Sequence, residues 1–421
     1  MKRERQQLRS LVARFCALVP LALIVFIINH ATDENYISNT STNITGSISY
    51  LSAILANGNA ALGIGGGTIP LALASQPREK GSVIFTCPDG RTGLHVVHTR
   101  YLISQANAGL LFTASRLYLS ETFMVPSLSR QTSRDYVLYA SYDPKLSKAA
   151  LQAFKDTLDI VPVHAMLSPE TSTNEMAFGF HELAEKLADI DSRVHEVDLF
   201  VTSRLDVDDA AHVGAIEAIQ KFACSSSSSS TATNSAKDNN LSDAENSKRL
   251  KNISPVRVMY ILNGTLWFPT RDPLGALRVP RPDFKIYKNL AVMQSMILSG
   301  SDFISKCKLD VYSYPHYKPQ ALEELNFPDC PTFNFDANRD VERWAPPPGH
   351  FGWLYSKTTS SWTSGKLDHK KSSLVTKMDA EALEKSFAVS RGQLAVANLM
   401  FAGFAREAAG LLEGNSDLQL E

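Results

Sequence analysis

The chain has 421 residues, a formal net charge of −1 and 44% hydrophobic residues, which is the composition of a mostly globular protein. Its length holds one large domain or two ordinary ones. Binding to nucleic acid requires a basic face, and this charge balance gives no indication of a nucleic-acid partner.

The N-terminus differs from the rest of the chain. An apolar run over 11–29, interrupted by Arg14, follows four basic residues: Lys2, Arg3, Arg5 and Arg9. The run is just long enough to span a bilayer, and positive charge ahead of it keeps the N-terminus in the cytoplasm. We predict a type II signal anchor; a cleaved signal peptide is the alternative. The anchor is favoured because no small-x-small cleavage site follows His30.

The composition divides the chain into a cytoplasmic tail (1–10), the anchor (11–29), a polar stem (30–81) and a globular domain (82–415). This orientation places the domain in the secretory lumen, at the Golgi or endoplasmic-reticulum membrane; secretion is the alternative. Cys87, Cys224, Cys307 and Cys330 fit an oxidising compartment, and Cys307–Cys330 is the first expected pair because it is nearest in sequence. N-glycosylation sequons agree with a lumenal domain, at Asn39, Asn43, Asn240, Asn252 and Asn263.

From residue 82 onward, β-prone runs alternate with amphipathic helical patterns, which predicts an α/β domain with a mostly parallel sheet. A Ser-rich insertion, 224–254, is predicted to be a disordered loop inside the domain. Beyond it, Asn263-Gly264 predicts a hairpin. A helix is predicted over 290–298 and a strand over 309–314.

One stretch, 197–212, carries the chemistry: a β-prone run ends in Asp206, Asp208 and Asp209. Carboxylates this close raise each other's pKa unless a positive charge lies between them, and a divalent cation meets that need. Following a strand of an open α/β sheet, the cluster would suit a metal–diphosphate. In the alternative interpretation, Asp206 caps a helix that begins at Val207, and the other two carboxylates lie in its first turn.

The segment Arg204-Leu205-Asp206-Val207-Asp208-Asp209-Ala210 closely resembles the Arg-Leu-Asp-x-Asp-Asp-Ala motif of the rhamnosyltransferase-like glycosyltransferases. Blocks at 95–100, 115–131 and 135–144 are similar to the same family and occur in the same order, so the resemblance covers roughly a third of the chain. It implies a GT-A-like (Rossmann-like) fold with a mostly parallel sheet flanked by helices. In that fold Asp-x-Asp holds Mn²⁺ or Mg²⁺ against the diphosphate of a nucleotide sugar. The Ser-rich insertion departs from the family.

The predicted function is therefore a metal-dependent glycosyltransferase, which moves a hexosyl or deoxyhexosyl group from a nucleotide sugar to a hydroxyl of a glycan or glycoconjugate. Two alternatives stand beside it. One is a catalytically inactive carbohydrate-binding or Golgi scaffold relative; the other is a metal-dependent phosphohydrolase, for which no downstream Lys and Asp-Asp pair is evident. The sequence leaves the donor sugar, the acceptor and the stereochemistry open.

In this chemistry a cation stabilises the charge on the leaving diphosphate. Asp208 is predicted to bind the metal directly, and Asp206 to be shared between the metal and the ribose. Asp209 is either a further ligand or a residue of a helical first turn. His316 is a candidate third ligand, against a structural role, and His212 and His350 are weaker candidates.

On the donor side, Arg204 either contacts the donor, as the resemblance implies, or neutralises the carboxylates. Thr99 and Arg100 follow the first strand, where such enzymes meet the nucleotide, and a bidentate arginine suits phosphate; a surface position is the alternative. An inverting reaction also needs a carboxylate base, for which Asp272 and Asp302 are candidates, against ordinary solvated carboxylates. Candidates for stacking on sugar, with core packing as the alternative, are Trp267, Trp344, Trp353 and Tyr355.

Overall fold

The computed structural model describes residues 79–103, 105, 110–170, 179–225, 254–270, 272–280, 292–314, 319–324, 327, 330–358 and 373–401. The chain divides into two compact units, of which Pro70–Asn398 holds the strands and the candidate site described below. In the other unit, Met1–Ile69 with Leu399–Glu421, the described residues are 399–401. The predicted tail and anchor, and the stem as far as residue 78, lie outside the described ranges. Within those ranges, no helix has the length and apolar character that a bilayer span requires.

A mixed sheet forms the centre of the larger unit. Its strands are β1 (Ile84–Thr86), β2 (Thr92–Tyr101), β3 (Val137–Tyr142), β4 (His164–Pro169), β5 (Leu199–Arg204), β7 (Val256–Ile261), β10 (Gln294–Ser299) and β11 (Val341–Trp344). They are ordered β11-β7-β10-β5-β2-β3-β4, and β1 pairs with β2. The pairs β2–β3, β3–β4, β2–β5 and β7–β11 are parallel, whereas β10 runs antiparallel to both of its neighbours. The prediction of a mostly parallel sheet is confirmed.

The strand order reverses between β2 and β5. From β2 the chain proceeds outward to β3 and β4, and it then returns to add β5 on the other side of β2. In open α/β sheets, the carboxyl ends of the strands at such a reversal border the ligand crevice. The fold therefore directs attention to the residues that end β2 and follow β5.

Helices cover both faces of this sheet, so its central strands are buried on both sides. In β2, Val97 faces a core that includes Phe154, whereas Val96 faces a second core that includes Leu183. The helices are α1 (Leu110–Leu119), α2 (Val125–Ser129), α3 (Lys148–Leu158), α4 (Phe180–Leu187), α5 (Ala215–Cys224), α6 (Ser301–Lys306), α7 (Ala321–Glu324), α8 (Ala380–Phe387) and α9 (391–401). A π-helical segment, Ser120–Met124, joins α1 to α2.

A smaller sheet lies in the same unit. Its strands are β6 (Asp209–Ala211), β8 (Thr265–Phe268), β9 (Ala276–Pro280), β12 (Trp353–Ser356) and β13 (Ser373–Thr376), in the order β13-β9-β8-β12-β6. The chain does bend at Asn263-Gly264, and Asn263 has a left-handed φ of 58°. The predicted hairpin is nevertheless wrong, because β7 belongs to the large sheet and β8 to the small one. Gly264 is required there, since a Cβ would lie 1.8 Å from the ring of Trp353.

Two further predictions of local structure are wrong. Within the helix predicted over 290–298, residues 294–298 instead lie in strand β10, whose apolar residues are buried on both faces of the sheet. The strand predicted over 309–314 is a turn region. The predicted Cys307–Cys330 disulfide is confirmed, and Cys87 pairs with Cys224.

Candidate functional site

The three carboxylates lie where the chain leaves the large sheet and enters the small one. After β5 the chain turns, with the Asp209 amide donating to the Asp206 carbonyl at 3.1 Å, and Asp209 begins β6. The following helix begins only at Ala215. The interpretation that Asp206 caps a helix is therefore wrong, and so is a place for Asp209 in a helical first turn. The carboxylates occupy a connection between two strands at the carboxyl end of β5.

Two arginines hold Asp206. Arg100, near the end of β2, donates from Nε to Oδ1 at 3.1 Å and from Nη2 to both oxygens at 2.9 and 3.0 Å, and Arg204 Nη2 donates to Oδ2 at 3.2 Å. Burial alone would raise the pKa of Asp206, but the two guanidinium groups hold it well below its usual value. Both basic side chains predicted near the donor are thus brought together, on one carboxylate.

Tyr312 supports this arginine pair, and sequence reasoning missed it. The carbons at the centre of the guanidinium groups of Arg100 and Arg204 lie 5.3 and 4.9 Å from the centre of the Tyr312 ring. The Tyr312 hydroxyl donates to the His98 carbonyl at 3.4 Å. Cation–π attraction and this anchor fix the direction of both side chains. The segment 309–314 was predicted to be a strand, and no sequence pattern marks Tyr312.

Asp208 and Asp209 have different basic partners. Arg116 of α1 donates to Asp208, and both side chains are nearly buried, 12% and 5% exposed. Asp209 accepts from the backbone amide of Ser356 at 3.3 Å. Because β12 pairs with β6, Lys357 follows directly beside this carboxylate and is only 4% exposed.

Burial shifts the pKa values of both Asp209 and Lys357. Burial and the neighbouring charges of Asp208 and Asp206 raise the pKa of Asp209 well above its usual value. Burial lowers the pKa of Lys357 to about 8, although Asp209 opposes that shift. Both shifts move the pair toward its neutral forms. Neither Arg116 nor Lys357 was singled out from the sequence, because each is distant along the chain from the carboxylates that it faces.

The other predicted site residues lie elsewhere. Thr99 is fully buried, and its hydroxyl contacts the Met124 sulfur at 3.5 Å, on the opposite face of β2 from Arg100. Asp272 is exposed in the turn between β8 and β9, where its backbone carbonyl accepts from Asn398 at 2.6 Å. His316 lies outside the described residues.

Asp302 lies at the wrong edge of the sheet for a base. Strand β10 runs antiparallel to β5, so its end, Ser299, pairs with Leu199 at the beginning of β5. Asp302 follows that end, with a side chain 82% exposed and paired with Lys306 at 2.5 Å. In the described part of the chain, neither Asp302 nor Asp272 has a recorded contact with the carboxylate cluster, so the predicted bases are not brought to it.

The aromatic candidates divide into two groups. Trp267 and Trp353 are buried, and their indole N–H groups donate to the carbonyls of Leu274 and Ile261 at 3.0 and 3.1 Å, so they are core residues. Tyr355 lies beneath Lys357, with the ammonium 3.7 Å from the ring centre. Trp344 is half-buried and contacts His212, with the two ring centres 5.4 Å apart, and His212 is in turn paired with His350. Within the described residues, neither histidine has a recorded contact with the carboxylates.

The carboxylates can be tested for fit to a divalent cation. Across the described ranges, no group of three or more His, Cys, Asp or Glu is arranged to hold a metal. Asp206 is committed to two arginines, whereas Asp208 and Asp209 are adjacent, buried and rich in hard oxygen donors. Mg²⁺ is usually bound by one or two carboxylates, with water and substrate phosphate completing its coordination. Asp208 and Asp209 fit that pattern, with Arg116 as the cation that neutralises Asp208 here.

Comparison with known proteins does not identify a family for this chain. No family model matches the chain, and no curated protein matches it. Among solved structures, the crystal structure of mouse xyloside xylosyltransferase 1 in its apo form matches with 11% identity and a TM-score of 0.17. That match covers 31% of this chain and 48% of the other, which is less than half of that structure's length. At this TM-score the likeness carries no argument, so function must be argued from the site.

Proposed function

We propose that the protein is a glycosyltransferase that takes a sugar from a nucleoside-diphosphate sugar and transfers it to a hydroxyl of a glycan or glycoconjugate. The observation that carries the proposal is the charge cluster at the reversal of strand order. There, Asp206, Asp208 and Asp209 are interleaved with four basic side chains: Arg100, Arg116, Arg204 and Lys357. The cluster holds one more base than acid, and it lies where open α/β sheets bind ligands.

The arginine pair suits the donor diphosphate. Arg100 and Arg204 share one carboxylate and one aromatic support, so two guanidinium groups are held at the end of β2 and β5 with a single compensating charge. Planar guanidinium groups match phosphate oxygens in geometry and stay charged. In this role Asp206 orients the two arginines. The motif resemblance implies a different role, in which Asp206 binds the metal.

A divalent cation is proposed at Asp208 and Asp209. When bound, Mg²⁺ or Mn²⁺ supplies Lewis-acid stabilisation of the negative charge that develops on the departing diphosphate. Arg116, now on Asp208, lies beside this position, so its charge remains close to the phosphates.

In the proposed transfer, the acceptor oxygen forms a bond to the anomeric carbon while the bond from that carbon to the diphosphate breaks. The diphosphate leaves with the bonding electron pair, and the hydroxyl proton passes to a base or to the departing phosphate. A hexosyl or deoxyhexosyl donor and the secretory lumen are part of the proposal. The two disulfides support the lumenal location, because disulfides persist in oxidising compartments.

The test is release of nucleoside diphosphate from a panel of nucleotide sugars by the intact chain, with Mn²⁺, with Mg²⁺ and with a chelator. Asp208→Asn should lower kcat/KM by about 100-fold or more, because it removes charge that binds the cation. It should also abolish Mn²⁺ binding measured by electron paramagnetic resonance. Asp189→Asn, on an exposed carboxylate after α4, is the matched control. Turnover that is unaffected by Asp208→Asn would refute the proposal.

A further inference from the structure

A second cluster lies at the far end of β6 from Asp209: His212, His350 and Trp344. The ring centres of His212 and His350 are 5.3 Å apart and the ring planes are inclined at 63°, with His212 Nε2 3.3 Å from His350 Nδ1. Trp344 closes the group against His212. None of these side chains takes part in the donor site proposed above.

Backbone contacts hold the cluster firmly. The His212 amide donates to the Gly352 carbonyl at 3.0 Å, and its carbonyl accepts from Gln131 Nε2 at 2.9 Å. His350 ends a turn in which its amide donates to the Pro347 carbonyl at 3.1 Å, and Gly349 has the φ of 80° that a type II turn requires. The Pro-rich sequence 346–349 therefore exists as a rigid turn that presents His350.

The hydrogen bonds fix which nitrogen carries each proton. A backbone N–H can only donate, so His212 Nδ1 accepts from the Gly214 amide at 2.9 Å, and a neutral His212 carries its proton on Nε2. That proton is donated to His350 Nδ1, which leaves the His350 proton on Nε2. His212 is neutral at neutral pH, since burial and His350 lower its pKa to about 4. His350 thus offers an N–H donor at its outer nitrogen.

The cluster combines an aromatic face with hydrogen-bonding groups. The Trp344 indole is half-buried, and among the described residues no partner is recorded for its N–H or for His350 Nε2. A half-exposed aromatic ring beside an N–H donor matches a sugar, which has apolar C–H faces and uncharged hydroxyls. A phosphate or carboxylate ligand is usually bound by arginine or lysine, and these three residues include neither.

The position relates the cluster to the donor site. Trp344 ends β11, which is parallel to β7, so it lies at the same edge of the large sheet as the end of β5. His212 is three residues along an extended segment from Asp209, which is about 10 Å at ~3.3 Å per residue. That separation leaves room for the donor sugar between the diphosphate and a second sugar on the cluster.

We infer that Trp344, His212 and His350 form the subsite that binds a sugar ring of the acceptor glycan, with the ring stacked on Trp344 and one of its hydroxyl oxygens accepting from His350 Nε2. This inference rests on the proposed function for its reaction partner, but the binding itself is independent of the donor site. The subsite would place acceptor recognition at β11, which lies on the other side of β5 from β2, β3 and β4 in the large sheet.

The test measures binding and turnover separately. Saturation-transfer difference NMR on the intact chain, with methyl glycosides of the common hexoses, deoxyhexoses and pentoses as probes, should show transfer to at least one glycoside. Trp344→Ala and His350→Ala should each weaken that binding by about 10-fold, the loss of one good contact. Trp344→Phe, which keeps an aromatic face, should retain most of it, and Asp208→Asn should leave it unchanged.

The turnover arm uses hydrolysis of the nucleotide sugar by water, which needs the donor site alone. Trp344→Ala and His350→Ala should raise the acceptor KM while the rate of donor hydrolysis stays at the wild-type value. The inference is overturned if no glycoside binds the intact chain, or if both variants bind glycosides and acceptor as the wild type does. Glycoside binding that depends on Trp344, in a chain that hydrolyses no nucleotide sugar, would keep the subsite and reject the proposed function.

Discussion

Inside the large sheet, a buried side chain keeps its charge only where an opposite charge is paired with it. Asp206 remains ionised because two guanidinium groups outweigh its burial. His95 has the opposite situation: it is fully buried, its Nε2 lies 2.8 Å from the Ser203 hydroxyl, and no cation or anion is paired with it in the described part of the chain. Burial without a charged partner disfavours the protonated imidazole.

This difference predicts acid sensitivity. Burial lowers the pKa of His95 from 6.5 to about 3, and that of His98 to about 3. The unfolded chain therefore binds more protons than the folded one between pH 6.5 and about 3, so stability is fully present above pH 6.5 and is lost as pH falls through this window. Each histidine should contribute a slope of about 1.4 kcal/mol per pH unit within it.

Urea unfolding of the intact chain at a series of pH values measures that slope. His95→Gln removes one titrating group, so the free energy of unfolding should fall less steeply with acid, by about 1.4 kcal/mol per pH unit. His195→Gln, on an exposed histidine, is the control and should leave the slope unchanged. A slope that is the same in His95→Gln and the wild type would show that His95 is protonated in the folded state.

Some residues of the candidate site could be predicted from the sequence and others could not. Asp206, Asp208 and Asp209 were identified because three carboxylates in four positions after a β-prone run are rare without a cation. Arg100 was identified because it follows a predicted strand, and Arg204 through the resemblance of its motif to the glycosyltransferase family. Arg116, Tyr312 and Lys357 were missed, since each reaches the cluster from a distant element and only the fold brings them together.

At the scale of elements, the connection from β7 to β8 determines how the two sheets meet. Gly352 lies against this connection: its amide donates to the Asn263 carbonyl at 2.8 Å. A Cβ on Gly352 would lie 1.9 Å from the Leu262 carbonyl oxygen and 2.7 Å from a side-chain carbon of Ile261. The neighbour is backbone, so it has no rotamer by which to move away.

Gly352→Ala should therefore lower the free energy of unfolding by about 3 kcal/mol or more, through overpacking. Gly90→Ala is the matched control, because Gly90 has a φ of 88° but open space around its Cβ position, and strain alone should cost about 1–2 kcal/mol. Thermal or urea unfolding compares the two variants. Equal losses would mean that the packing around Gly352 relaxes freely.

The same element explains where sequence patterns failed. Asn263-Gly264 predicted a hairpin, but a turn signal does not say which strands pair, and here the chain bends between strands of different sheets. The run 290–298 was assigned as a helix because a short apolar segment buried on both faces has no useful periodicity. That error also misplaced Asp302, since the reversed direction of β10 carries it to the opposite edge.

On the scale of the whole molecule, the alternation of strands and helices predicted the α/β class and the parallel core of the sheet. The order of the strands was not predictable from the pattern, because it depends on contacts between segments far apart in the chain. Cys87–Cys224 is an example: it closes a loop of 137 residues, and nothing local marks the pair. Cys307–Cys330 was predictable because the two residues are close in sequence.

The two disulfides connect the fold to the predicted lumenal location. Cross-linking over 137 residues stabilises the folded state by limiting the unfolded chain, by about 4–5 kcal/mol in the chain-entropy model. A chain retained in the reducing cytosol would lose that contribution. A chain carried into the lumen by the predicted anchor, 11–29, would keep it and would meet the machinery that modifies the sequons.

The full chain expressed in eukaryotic cells should therefore remain with membranes after alkaline carbonate extraction and should resist protease in sealed microsomes. An endoglycosidase should lower its apparent mass, and Asn39→Gln combined with Asn43→Gln should remove part of that shift. Asn59→Gln, in the same predicted stem but outside any sequon, is the control and should leave the mass unchanged. An unglycosylated, protease-accessible chain with free Cys87 and Cys224 thiols would refute the lumenal orientation, because neither oxidation nor glycosylation would then have acted on it.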